Sequence, residues 1–338
     1  MAWKIKSLSA LAIAAFALSA CAAQSGLDGV ASSQSAGMKL DKATQTATSA
    51  VMVDLSARAH AGWISADAGR HKKLVYVSDQ YDNAVEIYKA NVSNPPPIGQ
   101  ITSGVNTPDG LAVDTSGNLY VSNAGGTTVT VYHPGQTTPF DTYSPGQNPV
   151  NVVLGKDGRL YVAQGLLGCI CITEYPPKSH TPDLTIQLSQ THGSPMDLAL
   201  DASNDLYVTL TNGTVYEFAP GQTSGTNLGL AGLSNPRGIG FDKKGDLVVA
   251  NDTLNFVQGY IQIYDAGKTQ YEKQFIAGAQ PFQLAFGRGR RYMYVADVSY
   301  GTSGDVAIFK AGNGWAQTGA ISQGLHQPLG VALSPKAL

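Results

Sequence analysis

The stretch Pro108-Asp-Gly-Leu-Ala-Val-Asp-Thr-Ser-Gly-Asn-Leu-Tyr-Val-Ser-Asn123 contains the unit from which this chain is built. Gly110-Leu-Ala-Val-Asp114 alternates as a strand does, and Thr115-Ser-Gly-Asn118 supplies the Gly and Asn of a tight hairpin. Leu119-Tyr-Val-Ser-Asn123 then opens a second strand, and this piece recurs as Leu74-Val-Tyr-Val-Ser-Asp79, Leu160-Tyr-Val-Ala-Gln164, Leu206-Tyr-Val-Thr-Leu210, Leu247-Val-Val-Ala-Asn251 and Met293-Tyr-Val-Ala-Asp297. Measured at Tyr76, Tyr120, Tyr161, Tyr207, Val248 and Tyr294, the steps are 44, 41, 46, 41 and 46 residues. Each unit adds a third, alternating strand, such as Val129-Thr-Val-Tyr132 or Ile261-Gln-Ile-Tyr264, and a weaker fourth that leads to the Pro of the next unit.

Four antiparallel strands every 41–46 residues predict an all-β fold, a six-bladed β-propeller of four-stranded blades. The 277 residues from Gly62 to Leu338 divide into six blades of about 46. The inner strands present small residues on one face (Ala112, Val153, Ala199, Gly240, Ala285, Ala332) and bulky ones on the other (for example Leu111/Val113 and Leu284/Phe286). Because side chains alternate, a bulky face can pack on a neighbour's small face near a crowded axis. Pro328-Leu-Gly-Val-Ala-Leu-Ser-Pro335 repeats the inner pattern once more, so the C-terminal strand is expected to complete the first blade. Residues 62–67, with Trp63 where Gly110, Gly238 and Gly330 stand, are expected to lie displaced beside it.

Composition agrees. Of 24 acidic residues 20 are Asp, which suits turns, and only 4 are Glu, the better helix former. A net charge of −2 from 22 basic and 24 acidic residues supplies no excess of cations for phosphates, which argues against nucleic acid as partner. A hydrophobic share of 43% excludes disorder for the chain as a whole.

Residues 1–20 carry Lys4 and Lys6 followed by the apolar run Leu8–Ala20, which predicts a secretory signal peptide. Leu18-Ser-Ala-Cys21 resembles the lipobox of bacterial lipoproteins, which implies acylation of Cys21, a lipid bilayer as its partner, and an exported chain anchored to the cell or outer membrane. Residues 21–61, rich in Ala, Ser, Thr, Gln and Gly, read as a tether, and 62–338 as the propeller. Cys169 and Cys171 remain; at i, i+2 on one strand they read as two small core or edge side chains rather than a bridge.

The pattern Pro-x-x-(Leu/Ile/Val)-Ala-(Val/Leu)-Asp, then Gly-x-Leu-Tyr-Val-(Ala/Ser)-(Asn/Asp), then Val-x-Val-(Tyr/Phe) resembles the NHL-type blade and the gluconolactonase and senescence-marker-protein propellers over residues 62–335. The resemblance implies a disc whose ligand lies over the axis where the inner strands begin. Asp109, Asn151, Asp197, Arg237 and Gln283, with Met196 and Phe282, are expected on that face, as ligand-binding groups or as partners of backbone and channel water. Asp79, Asn123, Gln164, Asn251 and Asp297, ending the second strands, are expected near that face or the opposite rim. Gluconolactonase-like enzymes hold a divalent ion with an acidic residue of the first blade plus Asn and Asp from later ones. Asn151 and Asp197 match the later roles, while 51–67 offers only Asp54 and Asp67, so the set is incomplete.

His60, His192 and His326 precede inner strands and read as loop residues rather than catalytic ones; Asp114 and Asp242 read as turn residues, and Gly287-Arg-Gly-Arg-Arg291 as a solvated turn. No nucleophile elbow, phosphate loop or His-Glu-x-x-His is present. The sequence thus favours a cofactor-free binding scaffold for an envelope protein, peptide or glycan. The alternative is a lactonase-like hydrolase or lyase using a divalent metal such as calcium or zinc.

Overall fold

The computed structural model describes residues 62–65, 73–146, 148–165, 169–188, 193–253, 257–299 and 303–335. The leader, Cys21 and the tether lie outside them. Blade 1 begins with β1 (Trp63–Ile64), β2 (Leu74–Asp79), β3 (Ala84–Lys89) and β4 (Gly99–Ile101). Blade 2 holds β5 (Pro108–Val113), β6 (Leu119–Asn123), β7 (Val129–Tyr132) and β8 (Asp141–Tyr143), and blade 3 holds β9 (Pro149–Leu154), β10 (Leu160–Gln164), β11 (Cys171–Tyr175) and β12 (Leu184–Gln187). Blade 4 follows with β13 (Pro195–Leu200), β14 (Leu206–Leu210), β15 (Thr214–Phe218) and β16 (Thr226–Asn227). Blade 5 has β17 (Asn235–Phe241), β18 (Leu247–Asp252), β19 (Gly259–Tyr264) and β20 (Lys273–Gly278); blade 6 has β21 (Pro281–Phe286), β22 (Tyr292–Ser299), β23 (Ser303–Lys310) and β24 (Ala316–Ile321). The last strand, β25 (Pro328–Ser334), returns to blade 1. The inner strands β25, β5, β9, β13, β17 and β21 each touch the next, and β21 touches β25, so the six-bladed ring closes.

Core packing follows the alternation seen in the sequence, because each apolar cluster lies between two blades. Leu111 and Val113 of blade 2 pack with Tyr76 and Ala332 of blade 1. Val152 and Leu154 of blade 3 meet Ala112 and Tyr120 of blade 2, and Ile239 of blade 5 meets Ala199 of blade 4. Val331 and Leu333 of blade 1 meet Ala285 and Ala296 of blade 6, which completes the circle. Burying each such side chain is worth about 1.5–3 kcal/mol, and the small partner lets the sheets approach. A Cβ at Gly240, for example, would come 2.8 Å from Leu284 Cδ1.

Closure is by the C-terminal strand, with β25 paired to β2 from Leu74↔Ser334 to Asp79↔Pro328. The expectation that 62–67 lies beside that strand is corrected: β1 pairs with β4, Trp63↔Gln100, at the opposite edge of the five-stranded sheet. The reason is steric. The inner position is filled by Gly330, whose missing Cβ makes room for the Asp109 carbonyl and for Ser78 Oγ at 2.7 Å, and no tryptophan fits there.

The cysteines are a second correction. Cys169 and Cys171 form a disulfide with Cα atoms 5.2 Å apart. β11 starts only at Cys171, with a bend at Ile170, so Cys169 lies before the strand and not on the extended segment that the sequence suggested. Among the described residues, no helix is long and apolar enough to cross a membrane.

Candidate functional site

Every inner strand has a proline at its first or, in β17, its second residue, followed by a break in register. Pro108 stands opposite Asn123, for instance, yet Leu111 is opposite Val121, and blades 1, 3, 4, 5 and 6 repeat the shift. Such bulges release residues from the ladder and re-aim their side chains. The residues so freed are Asp109-Gly110, Met196-Asp197 and Phe282-Gln283 in blades 2, 4 and 6, and the single residues Leu329, Val150 and Arg237 in blades 1, 3 and 5, where Gly330, Asn151 and Gly238 stay paired.

The structure brings the five sequence-predicted residues together at this end of the axis. Asp197 Oδ1 accepts from Leu198 N at 2.8 Å, and Oδ2 accepts from Ile239 N of the next blade at 2.9 Å. The Asn151 side chain lies near enough to the Asp197 carboxyl to favour its charged form, while its own Oδ1 is buried with no partner. Gln283 reaches across blade 1: its Oε1 accepts from Leu111 N and Val331 N, both at 3.0 Å, and its Nε2 donates to Leu111 O at 3.1 Å. It is therefore a staple joining three blades. Arg237 lies over the Phe282 ring, 4.3 Å from its centroid, and its Nε is 3.4 Å from Asp252 Oδ2.

Electrostatics follow from this geometry. Burial pushes the Asp197 carboxyl up to about 8, aided by the charge of Asp109 and opposed by its hydrogen bonds. Burial also raises Asp109 to about 7, with Arg237 pulling the other way. Arg237 is lowered by burial and supported by Asp252 and Asp109. Two carboxyls near neutrality beside a guanidinium can move a proton or orient a polar ligand. Sequence reasoning missed Asp252, which is fully buried, accepts from Asn235 Nδ2 at 3.2 Å and leaves its Oδ1 unpartnered. The available signal was the charged residue extending the Leu-Val-Val-Ala-Asn piece of blade 5 by one.

The residues ending the second strands stand opposite the inner prolines, at this same end rather than the far rim. Four of them cap the incoming loops. Asn123 Oδ1 accepts from Asn106 N, Asn251 Oδ1 from Ser234 N and Asn235 N, Asp297 from Ala279 N and Gln280 N, and Asp79 from His326 N and Gln327 N. His326 Nδ1 lies 2.6 Å from Asp82 Oδ2, closing the same loop. His60 and His192 lie outside the described residues. Asp114 and Asp242 receive backbone N–H groups of their own turns, as expected. Arg290 departs from the solvated-turn expectation: its guanidinium donates to the carbonyls of Phe241 and Asp242 on blade 5.

A divalent ion of the kind implied by the resemblance is not matched by this donor set. The axial residues of blade 1 are Leu329 and Gly330, Asp197 already holds two backbone amides, and Arg237 adds a positive charge. Elsewhere, a cleft of about 340 Å³ opens beside blades 3 and 4, lined by Arg159, Tyr161, Glu174, Asp183 and Asn204. There Arg159 Nη1 bonds to Glu174 at 2.5 Å and to Asp183 at 3.0 Å.

Residues 66–166 match the SMP-30/Gluconolactonase/LRE-like region. The match spans blade 2, strands β2, β3 and β4 of blade 1, and strands β9 and β10 of blade 3, including Asp109 and Asn151. No curated protein sequence matches the chain. Among solved structures, a nidogen/laminin complex is similar at 14% identity, covering 79% of this chain and 100% of that one with a TM-score of 0.60. Virginiamycin B lyase from Staphylococcus aureus is similar at 12% identity, 77% and 83% coverage, and a TM-score of 0.53. A putative gluconolactonase is similar at 14%, 69% and 84%, with a TM-score of 0.53. These identities show the fold alone.

Proposed function

We propose that the protein is an exported propeller lipoprotein, anchored through Cys21, that works as a binding module for an envelope protein, peptide or glycan. The observation carrying this reading is the division of labour at the axis. Asp197 and Gln283 are engaged by inner-strand amides, whereas the Asp109 side-chain carboxyl accepts no hydrogen bond among the described residues and feels the charge of Arg237, which lies over an aromatic ring. An anion and a cation side by side suit a polar, hydroxyl- or amide-bearing group. Capture from an envelope extract tests it: the double variant D109N/R237M is expected to retain about tenfold less of any bound partner. Equal retention by the two proteins, or turnover of a lactone or ester by the wild type, would count against it.

A second reading, a lactonase-like hydrolase, is favoured by the match over residues 66–166 and by the raised Asp109 carboxyl, which would take the proton of an attacking water. Assays with a panel of lactones and esters, with elemental analysis and melting in added calcium or zinc, test it. Inactivity with unmoved melting removes it.

A further inference from the structure

The disulfide Cys169–Cys171 does nothing for the architecture. It joins the first residue of β11 to the residue just across the bend at Ile170, so it ties no blade to another, and a loop this short removes little entropy from the unfolded chain. Its surroundings are specific nonetheless. Gln164, Cys171 and Gln187 form one cross-strand row on β10, β11 and β12. Gln164 Nε2 donates to Cys171 Sγ at 3.4 Å and to Thr173 Oγ1 at 2.6 Å. Gln187 Nε2 lies 3.5 Å from Cys169 Sγ and its Oε1 lies 3.7 Å from the same sulfur. In four other blades the residue at the place of Gln164 caps an incoming loop, whereas Gln164 is turned onto sulfur. Gly146 leaves room for that turn, since a Cβ there would lie 2.7 Å from Gln164 Oε1. Cys171 is buried at 1% exposure, while Cys169 is partly exposed.

We propose that Cys169–Cys171 is a thiol–disulfide exchange site whose co-reactant is a dithiol, with Cys169 the attacked sulfur and Cys171 the leaving one. A thiolate of the dithiol attacks Cys169 Sγ, the bond to Cys171 breaks, and its electron pair goes to Cys171 Sγ. The amide of Gln164 donates to the anion that forms. The second thiol of the co-reactant then displaces Cys169, which Gln187 meets either as donor to the thiolate or as acceptor from the thiol. Two electrons and two protons pass from the dithiol to the pair, and the co-reactant leaves as its own disulfide.

The experiment equilibrates the folded protein in graded mixtures of reduced and oxidised dithiothreitol, quenches with a maleimide and reads the mass. The pair is expected to be reduced while the blades stay folded by circular dichroism. Q164L is expected to move the equilibrium about tenfold toward the disulfide, near 30 mV, and to slow reduction. Melting of the C169S/C171S double variant should match the wild type. A pair that resists reduction in the folded protein, free thiols in air-exposed protein, a Q164L equilibrium equal to the wild type, or a large loss of melting temperature in the double variant would each overturn the proposal.

Discussion

Arg237 was legible as an axial residue because it follows the recurring proline, but its partner was not, because Asp252 arrives from a different strand. Their relation sets a testable energetic asymmetry. Replacing Arg237 by Met leaves the fully buried Asp252 without its cation and is expected to cost about 3 kcal/mol, whereas R237M/D252L recovers most of it. Urea unfolding of the two variants checks this; equal losses would show that the pair does not act as a unit. Gln283 is the complementary case. It was expected at the axis as a ligand group or a partner of backbone, and the structure gives it the second role, with Leu111 N, Leu111 O and Val331 N bonded. Q283L is therefore expected to lower stability by about 2 kcal/mol through unsatisfied amides, measured as a shift in denaturation midpoint at unchanged slope.

At the level of strands, the ring was readable because small and bulky faces alternate in every inner strand, and each interface cluster repeats that pairing. The places of β1 and Cys169 were not, because both depend on where a strand ends, which periodicity alone does not mark. The two chain-end strands of blade 1 should differ sharply in importance. Removing residues 328–338 takes away β25, uncovers β2 and opens the contacts to β5 and β21, so soluble, cooperatively unfolding protein is not expected. Removing residues 1–64 takes away, among the described residues, the two pairings of β1 to β4 and the packing of Ile64 on the adjoining core cluster, and is expected to leave a folded ring. Expression followed by calorimetry decides; a stable ring without β25 would contradict the closure described above.

For the molecule as a whole, buried acids set the response to pH. Burial raises Asp197 to about 8, Asp109 and Glu86 to about 7 and Asp297 to about 6, while in the unfolded chain they ionise near 4. Between those limits the folded protein holds protons that the unfolded chain releases, so raising the pH favours unfolding. Stability should fall from about pH 4.5 to pH 8 and level off beyond, with the melting temperature dropping by several degrees. D109N should flatten the fall between about pH 4 and pH 7, and a melting temperature that rises over this range would refute the assignment. One mechanical result follows from the placement of the chain ends. Tension applied at residue 62 acts first on β1, held by two pairings at the outer margin, while β25 lies at the opposite edge of the same sheet. A pull at residue 62 would part β1 from β4 long before it strained the strands around the axis.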